Sequence, residues 1–300
     1  MRIGVRLPSA ISHATPENVA RVARWADVLG FHSVWVSDHI VLPERVCSRY
    51  GRHADRTWPH RADTPWFDPL LALAWAAAAA PHVALGTSIL LLPLRHPVLL
   101  AKQLSTLDVV SGGRVLVAAG VGWMEEEFRL VGAPFGDRGA RAVEMVRLMR
   151  ALWTGRAVDF RGRFWSLSGC RMAPPPVQRP IPVLWGGHSR AALRRVAQVA
   201  DGWHPSGLDP SEVAAGMTVL RKLCAERGRA SSSLTIVPRL DRPLTTDLLH
   251  RYRDIGVDHL VIDPPLGRGD LEDCWDAMRE AAAAGGLAPR ADVGAERRSG

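Results

Sequence analysis

A chain of 300 residues with 47% apolar and 23% charged side chains has the composition of a globular protein with a large core. Its formal charge of +8 does not signal nucleic-acid binding, because only Lys102 and Lys222 are lysines, the arginines are scattered, and no basic block is visible. The longest apolar run, LLALAWAAAAA between Pro69 and Pro81, falls short of a membrane span, and the opening MRIGVRLPSA lacks the apolar stretch of a signal peptide. Cys47, Cys170, Cys224 and Cys274 lie far apart, so neither a zinc knuckle nor a redox pair is visible; a reducing, cytoplasmic compartment is the expectation.

Strand-like and helix-like segments alternate from the first residues. IGVRL, residues 3–7, reads as a strand. Residues 17–29 place Val19, Val22, Ala23, Ala26 and Leu29 at helical spacing, with Gly30 where a C-terminal cap belongs. SVWVS is the second strand, 69–80 the second helix and VALGTSILL the third strand. Pro97 opens a helix over 97–110 that stops at Ser111, Gly112 and Gly113. RVLVAAGVG is the fourth strand and 141–153 the fourth helix. IPVLWGG, DGWHPS, LTIVPRL and VDHLVID are strands five to eight, followed by helices over 190–200, 211–227, 246–255 and 271–284. Eight strand–helix units predict an α/β TIM-type (β/α)8 barrel over residues 1–287, with an open doubly wound sheet as the alternative and a polar, disordered tail over 288–300.

Three insertions interrupt the pattern. Two, at 40–68 and 123–139, follow strand C-termini, the side on which barrel enzymes build their sites. The third, 155–180, contains AVDFRGRFWSL, a hairpin turning at Arg161 and Gly162, and then the stiff lead APPPVQRP. Trp58, Trp66 and Trp123 in the first two suggest an apolar lining. His53, Asp55, His60 and Asp63 lack a regular ligand spacing, so no metal site is expected.

In a barrel, four strand ends converge on one mouth. They carry Asp38 and His39; Ser88 and Ile89; Gly120, Val121 and Gly122; and Gly186, Gly187, His188 and Ser189. Two glycine clusters there suggest close approach of the backbone to a ligand. GGHSRAALRRVA is a glycine turn leading into a helix with Ser189 as N-cap, which suits either a phosphate or an ordinary tight turn. A lone histidine is more often structural than functional, but the position of His39 at a strand C-terminus favours function. Strand alternation points Asp38 and His39 opposite ways.

The segments GFHSVWVSDH, LGTSILLLPLRHPVLLAKQLSTLDVVSGGRVLVAAGVGW, RGRFW and PIPVLWGGHSRAALRRVAQVADGW together resemble the luciferase-like monooxygenase superfamily, most closely its coenzyme F420-dependent branch. The resemblance implies a barrel with a flavin-type ring in its mouth. Asp38 and His39 match the pair beside ring and substrate and are the catalytic candidates. Ser88 and Ile89 match a non-prolyl cis peptide that props the ring, and Gly186, Gly187 and Ser189 match the phosphate turn. With Asp38, Gly120 and Gly122 these form the expected cofactor contacts. Some members carry an acid just after the strand-four glycines; here Trp123 stands there, and Glu125, Glu126 and Glu127 come later. The implied cofactor is F420, with FMN as the alternative. The partners are a small organic substrate, a second copy in a homodimer and, only with FMN, a separate flavin reductase. The rival from another class is a non-catalytic barrel binding an anionic ligand.

Overall fold

The computed structural model describes residues 1–50, 57–266 and 270–290. In chain order the elements are β1 (Arg2–Arg6), α1 (Pro16–Val28), β2 (Ser33–Val36), α2 (Pro69–Ala79), β3 (Ala84–Leu91), α3 (Pro97–Val110), β4 (Val115–Gly120), α4 (Glu125–Leu130) and α5 (Arg138–Trp153). They continue with β5 (Val158–Arg161), β6 (Ser166–Cys170), β7 (Val183–Gly186), α6 (Arg190–Val199), β8 (Gly202–His204), α7 (Pro210–Ala225), β9 (Thr235–Ile236), α8 (Thr246–Asp254), β10 (His259–Ile262) and α9 (Leu271–Gly285).

Eight parallel strands lie in the order β10-β1-β2-β3-β4-β7-β8-β9, surrounded by helices. The two end strands meet through Arg239, which bridges Ser206 on one side and Val261 on the other. The barrel is therefore nearly closed, and the doubly wound alternative falls. Two prolines explain why the seventh strand is shorter than the expected 234–240. Pro205 has no N–H to give the Val237 carbonyl, so regular pairing with β8 stops at Ile236, and Pro238 has none to give β10, although Arg239 N–H still donates to the Pro205 carbonyl at 2.8 Å and Val261 N–H to the Pro238 carbonyl at 2.9 Å.

Strand alternation builds two layers. Val34 and Val36 join the large core between strands and helices, whereas Trp35 lies inside the barrel with Ala118, Leu184, Val237 and Val261. A Cβ at Gly4 or Gly86 would overlap the Trp35 ring, so those glycines make space for it. The indole donates to Ser33 Oγ at 2.7 Å, and Ser33 Oγ lies 2.9 Å from His259 Nε2. Burial pushes His259 well below its ordinary value of 6.5, so the barrel floor holds a neutral imidazole.

Other differences have local causes. The 123–139 insertion contains α4, whose three consecutive acids sit in its first turn, where they oppose the helix dipole favourably. Helix α5 starts at Arg138, before the expected 141. The hairpin is longer than AVDFRGRFWSL, because Gly162 N–H closes onto Trp165 O at 2.9 Å and β6 then runs to Cys170. At the tail, Arg290 N–H donates to Val28 O at 2.9 Å and its guanidinium pairs with Asp27; residues 291–300 lie outside those described. No helix among the described residues is long and apolar enough to cross a membrane.

Candidate active site

A cavity of about 520 Å³ opens at the C-terminal ends of the strands. Asp38, His39, Ser88, Ile89, Gly120, Gly122, Gly186, Gly187 and Ser189 all line it, as do Trp58, Trp66 and Trp123. Of the residues weighed as metal ligands, His60 lines it too, Asp63 pairs on the surface with Arg61 at 3.0 Å, and His53 and Asp55 lie outside the described residues.

Asp38 and His39 follow β2 and go to different partners. Both Asp38 oxygens are occupied by Arg95, at 2.6 and 2.9 Å, and Oδ2 also accepts the Leu91 N–H at 2.8 Å. Burial raises the Asp38 carboxyl above its ordinary value while Arg95 pulls it back. For Arg95, burial acts downward, and Asp38 outweighs it and raises the guanidinium. Every donor around Asp38 aims at an acceptor, which is the arrangement of an ionised pair. Asp38 thus fixes the chain after β3.

His39 Nδ1 lies 2.8 Å from Glu127 Oε2, and the other Glu127 oxygen accepts the Ile40 N–H at 2.7 Å. Both side chains are buried. A carboxylate at Nδ1 keeps a proton there and leaves Nε2 as the nitrogen for the cavity. Trp58 and Trp66 pack edge-on against the His39 ring, with centroids at 5.1 and 4.8 Å. The neighbouring Glu126 accepts from Cys47 N–H, Ser48 N–H and Ser48 Oγ. Burial alone would raise Glu126, but the Ser48 hydroxyl and those backbone donors hold it below the usual carboxylate range. The sequence alone assigns no role to Glu126 or Glu127. The available signal was a run of three acids at a helix start, and only the fold shows that the second and third meet the loop after β2.

The opposite wall starts with a cis peptide at Ser88-Ile89. Ser88 Oγ lies 2.8 Å from His204 Nε2, and His204 Nδ1 lies 2.6 Å from the Val237 carbonyl. A carbonyl only accepts, so Nδ1 carries a proton and Nε2 is the nitrogen that meets the Ser88 hydroxyl. His204 stacks on Trp35 at 5.0 Å, resting the site on the barrel core. Ile89 sits against two of the glycines. A Cβ at Gly120 or Gly186 would overlap it, so both have a structural reason beside any approach to a ligand. Gly122 and Gly187 have φ of +74° and +84°.

Ser189 caps α6, accepting the Ala192 N–H at 3.2 Å. Arg195 lines the same cavity two turns on, at the i, i+3, i+6 spacing from Ser189 through Ala192 that could have revealed it. Its guanidinium has no hydrogen-bond or ion-pair partner among the described residues. Burial and the nearby Arg138 charge both lower it from its ordinary value. A helix start, a capping serine and an uncompensated half-buried cation make this end of the cavity fit a phosphate.

Residues 1–241 match the model of the luciferase-like monooxygenase family, and the chain belongs to that family. It is 34% identical over 241 residues to an uncharacterized protein of Mycobacterium tuberculosis, covering 80% of this chain and 83% of that one. Shorter matches are an F420-dependent glucose-6-phosphate dehydrogenase of Amycolatopsis mediterranei, at 32% over 63% of this chain and 53% of that one, and an FMNH2-dependent dimethylsulfone monooxygenase of Pseudomonas putida, at 35% over 45% and 38%. Among solved structures, an F420-dependent secondary alcohol dehydrogenase in complex with an F420–acetone adduct superposes with a TM-score of 0.74, 18% identity and 94% and 98% coverage. The family thus includes both F420- and FMN-dependent oxidoreductases.

Proposed function

We propose that this chain is an F420-dependent oxidoreductase that moves a hydride between the deazaflavin and a small organic substrate. The observation that carries the reading is the His39–Glu127 pair at 2.8 Å, with its second nitrogen left for the cavity that Ile89 and the Ser189 turn also line. When bound, the deazaflavin supplies a ring carbon that takes up or gives back the hydride. Ser189, the α6 start and Arg195 hold the phosphate. Ile89 presents an apolar face to a ring. Trp58, Trp66 and Trp123 exclude water and favour an apolar substrate body. His39 exchanges a proton with the substrate oxygen at Nε2, while Glu127 keeps the imidazole in one tautomer and orientation.

Titration of the purified protein with reduced and oxidised F420 and with FMN tests the cofactor. The expected outcome is tighter binding of F420. Equal or reversed dissociation constants favour an FMN-dependent monooxygenase, a reading supported by the dimethylsulfone monooxygenase relative, and with it a separate flavin reductase. Binding without turnover across a broad substrate panel favours the non-catalytic barrel. A second copy of the chain is the proposed protein partner, supported by the exposed apolar side chains Leu71, Trp75, Leu99 and Val110 on α2 and α3. Light scattering that reports a monomer at micromolar concentration removes it.

A further inference from the structure

Arg195 also lines a second cavity, of about 450 Å³, between α5, α6 and the turn of the β5–β6 hairpin. Arg147 of α5, Arg163 of the turn and Arg194 of α6 complete its basic wall. None of the four guanidiniums has an ion-pair or hydrogen-bond partner among the described residues. Elsewhere on α5 the same residue type is compensated: Arg141 pairs with Asp137 and Arg150 with Asp201, both at 2.7 Å. The cleft has one acid, Glu144, and it is spent. It is buried, and its two oxygens accept the backbone N–H groups of Arg163, Phe164 and Trp165 at 2.8–2.9 Å. Glu144 therefore holds the hairpin turn over the cleft and, engaged in three charge-assisted bonds, offers the arginines no counter-ion contact.

Like charges brought together from three separate elements repel unless an anion joins them. A single phosphate at the Ser189 turn is within reach of Arg195 but leaves Arg147, Arg163 and Arg194 uncompensated. We infer that this cleft is a binding site for an oligoanionic chain, bearing several carboxylates or phosphates, that runs from the anion site at the Ser189 turn past Arg195 toward the hairpin. The inference rests on the proposed phosphate position. The chain has two possible sources. It is either the oligoglutamate that F420, unlike FMN, carries beyond its phosphate, or a separate polyanion.

The test uses the triple variant Arg147→Gln, Arg163→Gln, Arg194→Gln, which leaves Arg195 in place. Its control is Arg221→Gln, Arg251→Gln, Arg253→Gln, which removes the same charge from exposed positions on other helices. Dissociation constants are measured at low salt for F420 with its glutamates intact, for F420 with the glutamates removed, and for tripolyphosphate. Three exposed guanidinium contacts predict that the cleft variant binds intact F420 about tenfold more weakly, with the shortened cofactor and the control unaffected and the loss fading at high salt. Unchanged F420 binding with a weakened, cleft-dependent affinity for tripolyphosphate assigns the site to a separate polyanion. Equal losses in cleft variant and control, or no loss with any probe, overturn the inference. If the parent protein binds neither form of F420, the cofactor reading fails, and the tripolyphosphate titration still decides on the cleft.

Discussion

Asp38 and His39 are adjacent in sequence, line the same cavity and each bind a charged partner, yet they end in opposite states. Asp38 is saturated: Arg95 takes both oxygens and Leu91 N–H adds a third bond. His39 is half used, because Glu127 takes one ring nitrogen and leaves the other for the cavity. A buried ion pair with every group satisfied holds chain segments together, whereas a group with one site left over is equipped to exchange a proton with a visitor. On the proposed function, the difference separates a residue whose loss is expected to cost the fold from one whose loss is expected to cost turnover.

The sharpest way to break that comparison is to remove each member. His39→Ala is expected to lower single-turnover hydride transfer on cofactor-saturated enzyme about 10²–10⁴-fold, the range for a positioned acid or base, with little change in melting temperature. Transfer at the parent rate removes His39 from the mechanism. Asp38→Ala leaves Arg95, among the described residues, with only the more exposed Asp68, at 3.3 Å, and leaves the Leu91 N–H without its acceptor; it is expected to cost about 3 kcal/mol of stability in denaturant unfolding, the low end for breaking a buried pair. A variant that unfolds at the parent midpoint shows that the pair does not anchor the chain after β3. Arg195→Ala sharpens the comparison at the other end of the cavity. Losing one charge-assisted contact is expected to weaken cofactor binding roughly 10–100-fold while stability holds, and unchanged affinity moves the phosphate elsewhere. It is a cleaner probe than Gly187→Val, because φ at Gly187 is +84° and a valine there strains the backbone whether or not a phosphate binds.

A smaller effect comes from the barrel floor. The folded-state value of His259 lies well below its ordinary 6.5, so the unfolded chain takes up a proton that the folded chain refuses. The stability tied to it is present above about pH 6.5 and is lost as pH falls from there toward the depressed value, at up to about 1.4 kcal/mol per pH unit. His259→Gln should flatten that part of the stability–pH curve, and an unaltered slope assigns it to other groups. Smallest of all, Ser189→Ala should cost about 1 kcal/mol as a lost cap, read as a small drop in melting temperature.

The sequence by itself determined the alternation of eight strands and helices, because period-2 and period-3.6 apolar patterns, prolines at helix starts and glycines at helix ends are local signals. It also determined the strand-end residues that meet at the mouth, since in a parallel barrel every strand C-terminus points to the same side. The tertiary structure decided what those residues do there. Glu127 reaches His39 across 88 positions, and Arg95 reaches Asp38 across 57. No local pattern links such pairs; each exists because two strand ends or the loops that follow them are brought within hydrogen-bond distance. The same holds for the glycines. Gly120 and Gly186 read in sequence as space for a ligand, but Ile89, carried on a third strand, occupies part of that space. Charge compensation followed the same division. The chain's arginines look evenly scattered along the sequence, and only the packing of α5, the hairpin turn and α6 shows which of them gather without a counter-ion.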